Sequence, residues 1–98
     1  MNNKDKIEIT KKIAEEIMAD DIVFMEIART SVFCHNCYPK TNKIVSMKIE
    51  KYFLNDLGDV SFQGTCEICK GKVGRYLESG ENPKCLKIAK KYFNKIKI

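Results

Sequence analysis

Long apolar runs are missing from this sequence of 98 residues. No segment approaches the roughly 20 apolar residues that a membrane-spanning helix needs, so we expect no membrane span. The segment Met1-Asn2-Asn3-Lys4-Asp5-Lys6 is polar and no apolar stretch follows it, unlike a secretory signal. We therefore predict a cytoplasmic protein. In that reducing compartment, paired cysteines bind metals or carry out redox reactions more often than they form structural disulfides.

Residue sets that carry enzyme chemistry are also missing. His35 is the one histidine of the chain, and no serine–histidine–aspartate set, phosphate-binding loop or pair of catalytic carboxylates stands out. We therefore expect that the protein is not an enzyme.

The length and the absence of internal repeats or low-complexity linkers predict a single domain, residues 1–98. A core of this size gives a modest margin of stability, so a bound metal would be a useful supplement. We predict three parts: an N-terminal helical arm (1–30), a central ribbon of strands (31–80) and a basic C-terminal helix (82–98).

Apolar periodicity predicts the arm. From about Lys4 to Ala19 the apolar residues fall on one side of a helix at 100° per residue; they are Ile9, Ile13, Ala14, Ile17 and Met18. The pair Asp20-Asp21 favours an interruption, followed by a second helix over about Ile22 to Arg29. One long helix is the alternative.

Alternating residues predict the strands. Val45, Met47 and Ile49 alternate with polar residues, which is typical of a half-buried strand that extends towards Leu54. A hairpin turn over 55–59 leads to a second alternating strand at 60–66, and a third strand covers 72–77. The expected fold class is α+β, with an antiparallel three-stranded sheet flanked by the arm and by an amphipathic C-terminal helix.

Four of the five cysteines form two C-x2-C pairs, Cys34-His35-Asn36-Cys37 and Cys66-Glu67-Ile68-Cys69. Four thiolates from two short turns are the ligand set of a tetrahedral zinc ion. The turn of the second pair needs a residue with positive φ, and we predict Gly71 for that role. The first pair is followed by Tyr38-Pro39, a less favourable sequence. Four unrelated buried thiols are the alternative, whereas a thioredoxin-like redox pair lacks its βαβ context.

The chain thus resembles the zinc-ribbon group over about residues 31–78, in which one C-x2-C turn precedes a β-hairpin and another follows it. This resemblance implies that Cys34, Cys37, Cys66 and Cys69 bind a structural Zn²⁺. The spacing is also similar to that of rubredoxins, which implies iron and electron transfer as an alternative. Rubredoxin-like turns usually carry glycine directly after the second cysteine, where this chain has Tyr38 and Lys70.

The remaining candidate ligands are expected to lie outside the site. The spacing predicts that His35 is an exposed residue of the first turn. Cys85 lies on the same predicted helix face as Ala89, Tyr92 and Ile96, so we expect a packed core thiol.

Charge is distributed unevenly along the chain. Residues 1–69 carry nine Lys/Arg and eleven Asp/Glu, whereas residues 70–98 carry nine Lys/Arg and two Asp/Glu. The C-terminal helix is expected to begin at Pro83, after Asn82 as its N-cap, and to run to about Lys97. Its lysines project opposite its apolar residues, a pattern that also suits a simple solubilising face.

Two functions are consistent with this charge distribution. The first is a zinc-ribbon accessory protein, nucleic-acid-binding or transcription-associated, that contacts the backbone of DNA or RNA. Its candidate contacts are Lys70, Lys72, Arg75, Lys84, Lys87, Lys91 and Lys95, with Lys90 and Lys97 on the same helix. The second is a zinc-stabilised protein-interaction module, an adaptor or inhibitor, whose N-terminal arm supplies a surface for a partner helix or for a dimer.

Overall fold

The computed structural model describes residues 6–97, with side chains through residue 96. Four strands and four helices follow one another along this part of the chain. In order they are β1 (Lys6–Ile9), α1 (Lys11–Ile17), α2 (Ile22–Arg29), α3 (Tyr38–Thr41), β2 (Met47–Asn55), β3 (Val60–Cys66), β4 (Lys72–Tyr76) and α4 (Pro83–Lys97). Short 3₁₀ turns at Ala19–Asp21 and Ser79–Glu81 precede α2 and α4.

The sheet has four antiparallel strands in the order β1-β2-β3-β4, so the prediction of three strands was wrong. The extra strand is β1, which pairs with β2 from Lys6 opposite Asn55 to Ile9 opposite Tyr52. The helix predicted from about Lys4 therefore begins only at Lys11; Lys4 itself lies outside the described residues. Ile9 fits the helical stripe with Ile13, but it fits a strand with Ile7 equally well, and pairing with the distant β2 decides between them.

The N-terminal segment forms two helices with an interruption between them, as predicted. Thr10 caps α1, its hydroxyl accepting a hydrogen bond from the Ile13 N–H at 3.2 Å. The chain then turns at Ala19–Asp21 and re-enters a helix at Ile22, so the alternative of one long helix was wrong. The helix α1 buries Ala14 and Ile17 against the sheet and α4, so it is part of the core.

The central hairpin agrees with the predicted alternation. Val60, Phe62 and Gly64 are buried along β3, and the intervening residues are more exposed. The turn contains Gly58 at φ +83°, where a Cβ would lie 2.6 Å from the Leu86 side chain. The register of β2 against β3 shifts between Ile49 and Lys51, which marks a β-bulge.

The C-terminal helix begins as expected. The Asn82 side-chain oxygen accepts hydrogen bonds from the Lys84 N–H at 2.9 Å and the Cys85 N–H at 3.4 Å, and Pro83 is the first helical residue. The Asn82 amide also donates to the carboxylates of Asp20 and Asp21, at 2.9 and 2.8 Å. The same side chain therefore starts α4 and ties it to the turn before α2.

Two groups of buried residues fill the interior. The larger joins α1, α2, the sheet and α4, and it includes Met18, Leu54 and Phe62. The smaller consists of Cys34, Cys37, Val45 and Cys66. Val73 packs against both groups. None of the helices within residues 6–97 combines the length and apolar character that a membrane span requires.

Candidate metal centre

The two cysteine pairs lie in separate turns that the fold brings together. An isolated bridge between Val32 and Val45, with N–H···O distances of 2.8 and 2.9 Å, closes the loop that carries the first pair. The second pair spans the connection between β3 and β4, and Cys66 pairs with Met47 of β2. Strand pairing thus places both turns at one end of the sheet.

The four sulfurs have the spacing of a metal site. The Sγ atoms of Cys34, Cys37, Cys66 and Cys69 all lie within 4.8 Å of one another. The Cys34–Cys69 and Cys37–Cys66 Sγ distances are 3.5 and 3.7 Å. Four thiolates at about 2.3 Å from a central zinc would be about 3.8 Å apart. The chain is therefore a small protein with a four-cysteine site positioned to bind a metal ion.

Backbone N–H groups close the second turn around its sulfurs. The Ile68 N–H donates to Cys66 Sγ and the Gly71 N–H donates to Cys69 Sγ, both at 3.4 Å. Such bonds offset the negative charge that thiolates bring to a metal. The positive φ predicted for Gly71 lies instead at Lys70, where φ is 64°. That prediction was wrong by one residue.

Gly71 instead lies where the two turns approach each other closely. A Cβ there would lie 2.8 Å from the side-chain nitrogen of Asn36 and 3.3 Å from Cys69 Sγ. The Asn36 side chain contacts Cys69 Sγ at 3.9 Å, from the opposite turn. Asn36 was not among the predicted site residues, although an amide between the first two cysteines was a signal that it could reach a sulfur.

The first turn is built differently. The Tyr38 N–H donates to the Cys34 carbonyl at 2.9 Å, and the chain continues directly into α3 with Pro39 in its first turn. Asn42 ends this helix in the left-handed conformation, at φ 56°. The sequence Tyr38-Pro39 therefore replaces a glycine turn with a helical one.

The surroundings shift the thiol pKa values in opposite directions. The hydrogen bond from the Gly71 N–H, aided by Cys34, lowers the pKa of Cys69 to about 6. The backbone N–H groups of Cys69 and Ile68 also lower the pKa of Cys66. Burial raises the pKa of Cys37 to about 12. A divalent cation among the four sulfurs would favour the thiolate form of each.

The other two candidate ligands lie where the sequence predicts. Cys85 is fully buried in the larger core with Ala89 and Phe93, and it is not one of the four clustered cysteines. Its Sγ contacts the Asp21 carboxylate at 3.9 Å. His35 is exposed on the first turn and is likewise not in the cluster.

The predicted nucleic-acid contacts are distributed over three elements. Lys84, Lys87, Lys91 and Lys95 are exposed on α4, Lys72 and Arg75 lie on β4, and Lys70 follows Cys69. Three of these cations have partners within the protein. Arg75 donates to the Ser31 carbonyl at 3.1 Å, Lys70 donates to the Glu67 carbonyl at 3.1 Å, and Lys84 lies 3.5 Å from the Asp20 carboxylate.

Lys90 is also exposed on α4, whereas the side chain of Lys97 lies outside the described residues. The lysines occupy the arc of the helix opposite Cys85, Ala89 and Phe93, which are buried.

Comparisons with family models, with curated proteins and with solved structures found no match for this chain.

Proposed function

We propose that this chain is a structural-zinc protein that binds the backbone of DNA or RNA through α4. Supporting the proposal, α4 buries one face in the core while Lys84, Lys87, Lys90, Lys91 and Lys95 are exposed on the other. Because the helix is anchored by its apolar face, the lysines form a fixed row rather than a flexible tail. Such a row suits phosphates, which are recognised by charge and position.

Four thiolates at tetrahedral spacing suit zinc or iron. Zinc is the proposed metal because Tyr38 and Lys70 stand where rubredoxin-like iron sites usually carry glycine. Four thiolates complete that coordination and leave no open position for a substrate, so we propose a structural role and no reaction. Elemental analysis of the purified protein, together with thiol titration, tests this assignment. One zinc per chain is the expected result; one iron would favour the electron-transfer alternative.

Salt dependence tests nucleic-acid binding. Four phosphate contacts, by Lys87, Lys90, Lys91 and Lys95, would give a slope of log K against log salt of roughly −3 to −4 on duplex DNA. We expect Lys87→Gln with Lys91→Gln to reduce the steepness of that slope by about 2. The matched control is Lys48→Gln with Lys51→Gln, because these two lysines are exposed on β2. No retention at low salt, or equal effects of the two double variants, would overturn the proposal.

A further inference from the structure

The outer face of α2 is apolar although it points away from the core. Met25 and Ala28 are buried, whereas Val23, Phe24 and Ile27 are 70%, 48% and 55% exposed. Positions 23 and 27 are one turn apart and position 24 is beside them, so the three side chains form one patch. A helix normally turns such residues towards its own core. This patch therefore has the character of a contact surface.

A groove of about 830 Å³ continues from this patch. Phe24 lines it from α2, Tyr76 and Leu77 line it from the end of β4, and Pro83 lines it from the start of α4. Phe24 thus belongs to both the patch and the groove, which together form one docking surface of α2 and the β4–α4 connection.

Carboxylates surround this groove. Asp21, Glu78 and Glu81 line it, and no lysine or arginine is among its described lining residues, although the chain as a whole carries a formal charge of +5. Glu78 and Glu81 are exposed and form no ion pair within residues 6–97. Lys84, at the edge, is close to Asp20. The groove is therefore acidic on a basic protein.

The walls of the groove are held by hydrogen bonds. The Tyr76 hydroxyl donates to the Asp59 carboxylate and accepts from the Asn55 amide at 2.9 Å. Asp59 in turn accepts from the Gly80 N–H at 2.8 Å, and Ser79 accepts from the Val60 N–H at 3.0 Å. These bonds fasten the β4–α4 connection to the β2–β3 turn, so the groove is preformed.

We propose that this surface binds an amphipathic helix of another protein, with apolar residues on one face and Lys/Arg beside them. The apolar residues would cover Val23, Phe24 and Ile27 while the cations meet Glu78 and Glu81. This inference is independent of nucleic-acid binding by α4, because the two surfaces carry opposite charge.

Charge argues against the other occupants. Nucleic acid and anionic lipid would be repelled by the carboxylates. A second copy that used the same face in a two-fold dimer would place the three carboxylates of each copy in one interface. The chain's own basic helix does not fit, since its apolar residues Cys85, Ala89 and Phe93 are buried in the core.

Binding of synthetic peptides tests the proposal on the full-length, metal-loaded chain. The probe is a fluorescent amphipathic helix about five turns long, with leucines on one face and lysines on the other. Control peptides replace its lysines with glutamates or its leucines with serines. We expect only the first peptide to bind, as measured by fluorescence anisotropy, with amide NMR shifts confined to α2 and residues 76–83.

Substitutions in the chain test which of its residues bind the peptide. Val23→Ser, and Glu78→Lys with Glu81→Lys, should each weaken binding of the probe by about tenfold or more. The matched controls are Leu57→Ser, which changes an apolar residue that is 63% exposed in a turn, and Glu8→Lys with Glu50→Lys on exposed strand positions. All these positions are exposed, and circular dichroism with metal content verifies folding.

Several results would overturn the proposal. The basic peptide could fail to bind, or the glutamate peptide could bind equally well. The NMR shifts could lie outside the docking surface, or the control variants could lose as much affinity for the probe as the test variants. A dimer in sedimentation that Val23→Ser dissociates would show that a second copy is the occupant. Binding of the probe should also persist in Lys87→Gln with Lys91→Gln, which separates this surface from the lysines of α4.

Discussion

Gly64 is the position where a single methyl group should disturb the sheet most. It lies opposite Ile49 on β2, beside the bulge. A Cβ at position 64 would lie 1.9 Å from the Lys48 carbonyl oxygen and 2.8 Å from its carbon. Both are backbone atoms, so no change of side-chain rotamer relieves the overlap in Gly64→Ala.

The overlap sets the expected cost. Ordinary contact begins near 3.4 Å, so the two strands must separate by about 1.5 Å at this point. Overpacking typically costs 1–3 kcal/mol, and we expect about 3 kcal/mol because backbone rather than a side chain must move. For a chain of this size that is a fall in Tm of roughly 12 to 24 °C. The neighbouring pair of Met47 with Cys66 carries the displacement to the metal centre.

Thermal melts of the metal-loaded protein by circular dichroism measure the effect, with a chelator competition for metal affinity. Gly74→Ala is the matched control, because it adds the same methyl group on the adjacent strand at 3.2 Å from the Phe62 carbonyl oxygen. There we expect a loss below about 1 kcal/mol. An unchanged Tm for Gly64→Ala, or equal losses in both variants, would refute the reasoning.

Three further predictions concern the cysteines and the groove. Cys85→Ser should keep the metal stoichiometry of the wild type, since Cys85 is in the larger core; loss of metal by elemental analysis would contradict its position outside the site. Metal removal should abolish hydrogen-exchange protection around both cysteine turns, while amides of the larger core stay protected. The two regions should respond separately because, among the described residues packed against the two buried groups, only Val73 is common to both. Unchanged protection in both regions after verified metal removal would show that the metal is dispensable for the fold. Burial, aided by the hydrogen bond to Asp59, raises the pKa of Tyr76, so its contribution to stability is present below about pH 10 and is lost as the pH rises through the folded-state pKa. Tyr76→Phe should lower stability by about 1 kcal/mol and reduce the loss of stability across pH 9–12, as measured by denaturation. Part of that loss should remain, because the pKa values of Tyr52 and Tyr92 are also raised.

Local signals predicted much of the fold. The cap at Asn82 and the alternation along β3 act within a few residues and agree with the structure. The interruption predicted at Asp20-Asp21 is also present. The Asp21 side chain does not cap α2, however, and both carboxylates accept hydrogen bonds from Asn82 instead. The assignment failed at Lys6–Ile9, because a four-residue segment with two isoleucines becomes a strand only when a partner strand is present.

The metal centre was likewise predicted in part. The two C-x2-C pairs identified all four clustered cysteines from their spacing. The role of Gly71 was assigned wrongly, because its constraint comes from Asn36 in the opposite turn and not from its own φ. A close approach between turns far apart in the chain leaves no local signal.

By itself, the sequence determined the four candidate ligands, the limits of α2 and the start of α4, because spacing within short segments and, at Asn82, a side-chain cap govern these features. Tertiary structure alone decided that Lys6–Ile9 forms the additional strand β1 and that Asn36 lies against Cys69. It also decided which apolar residues of α2 remain exposed beside carboxylates from the β4–α4 connection. These features depend on contacts between segments tens of residues apart, and only the folded chain brings those segments together.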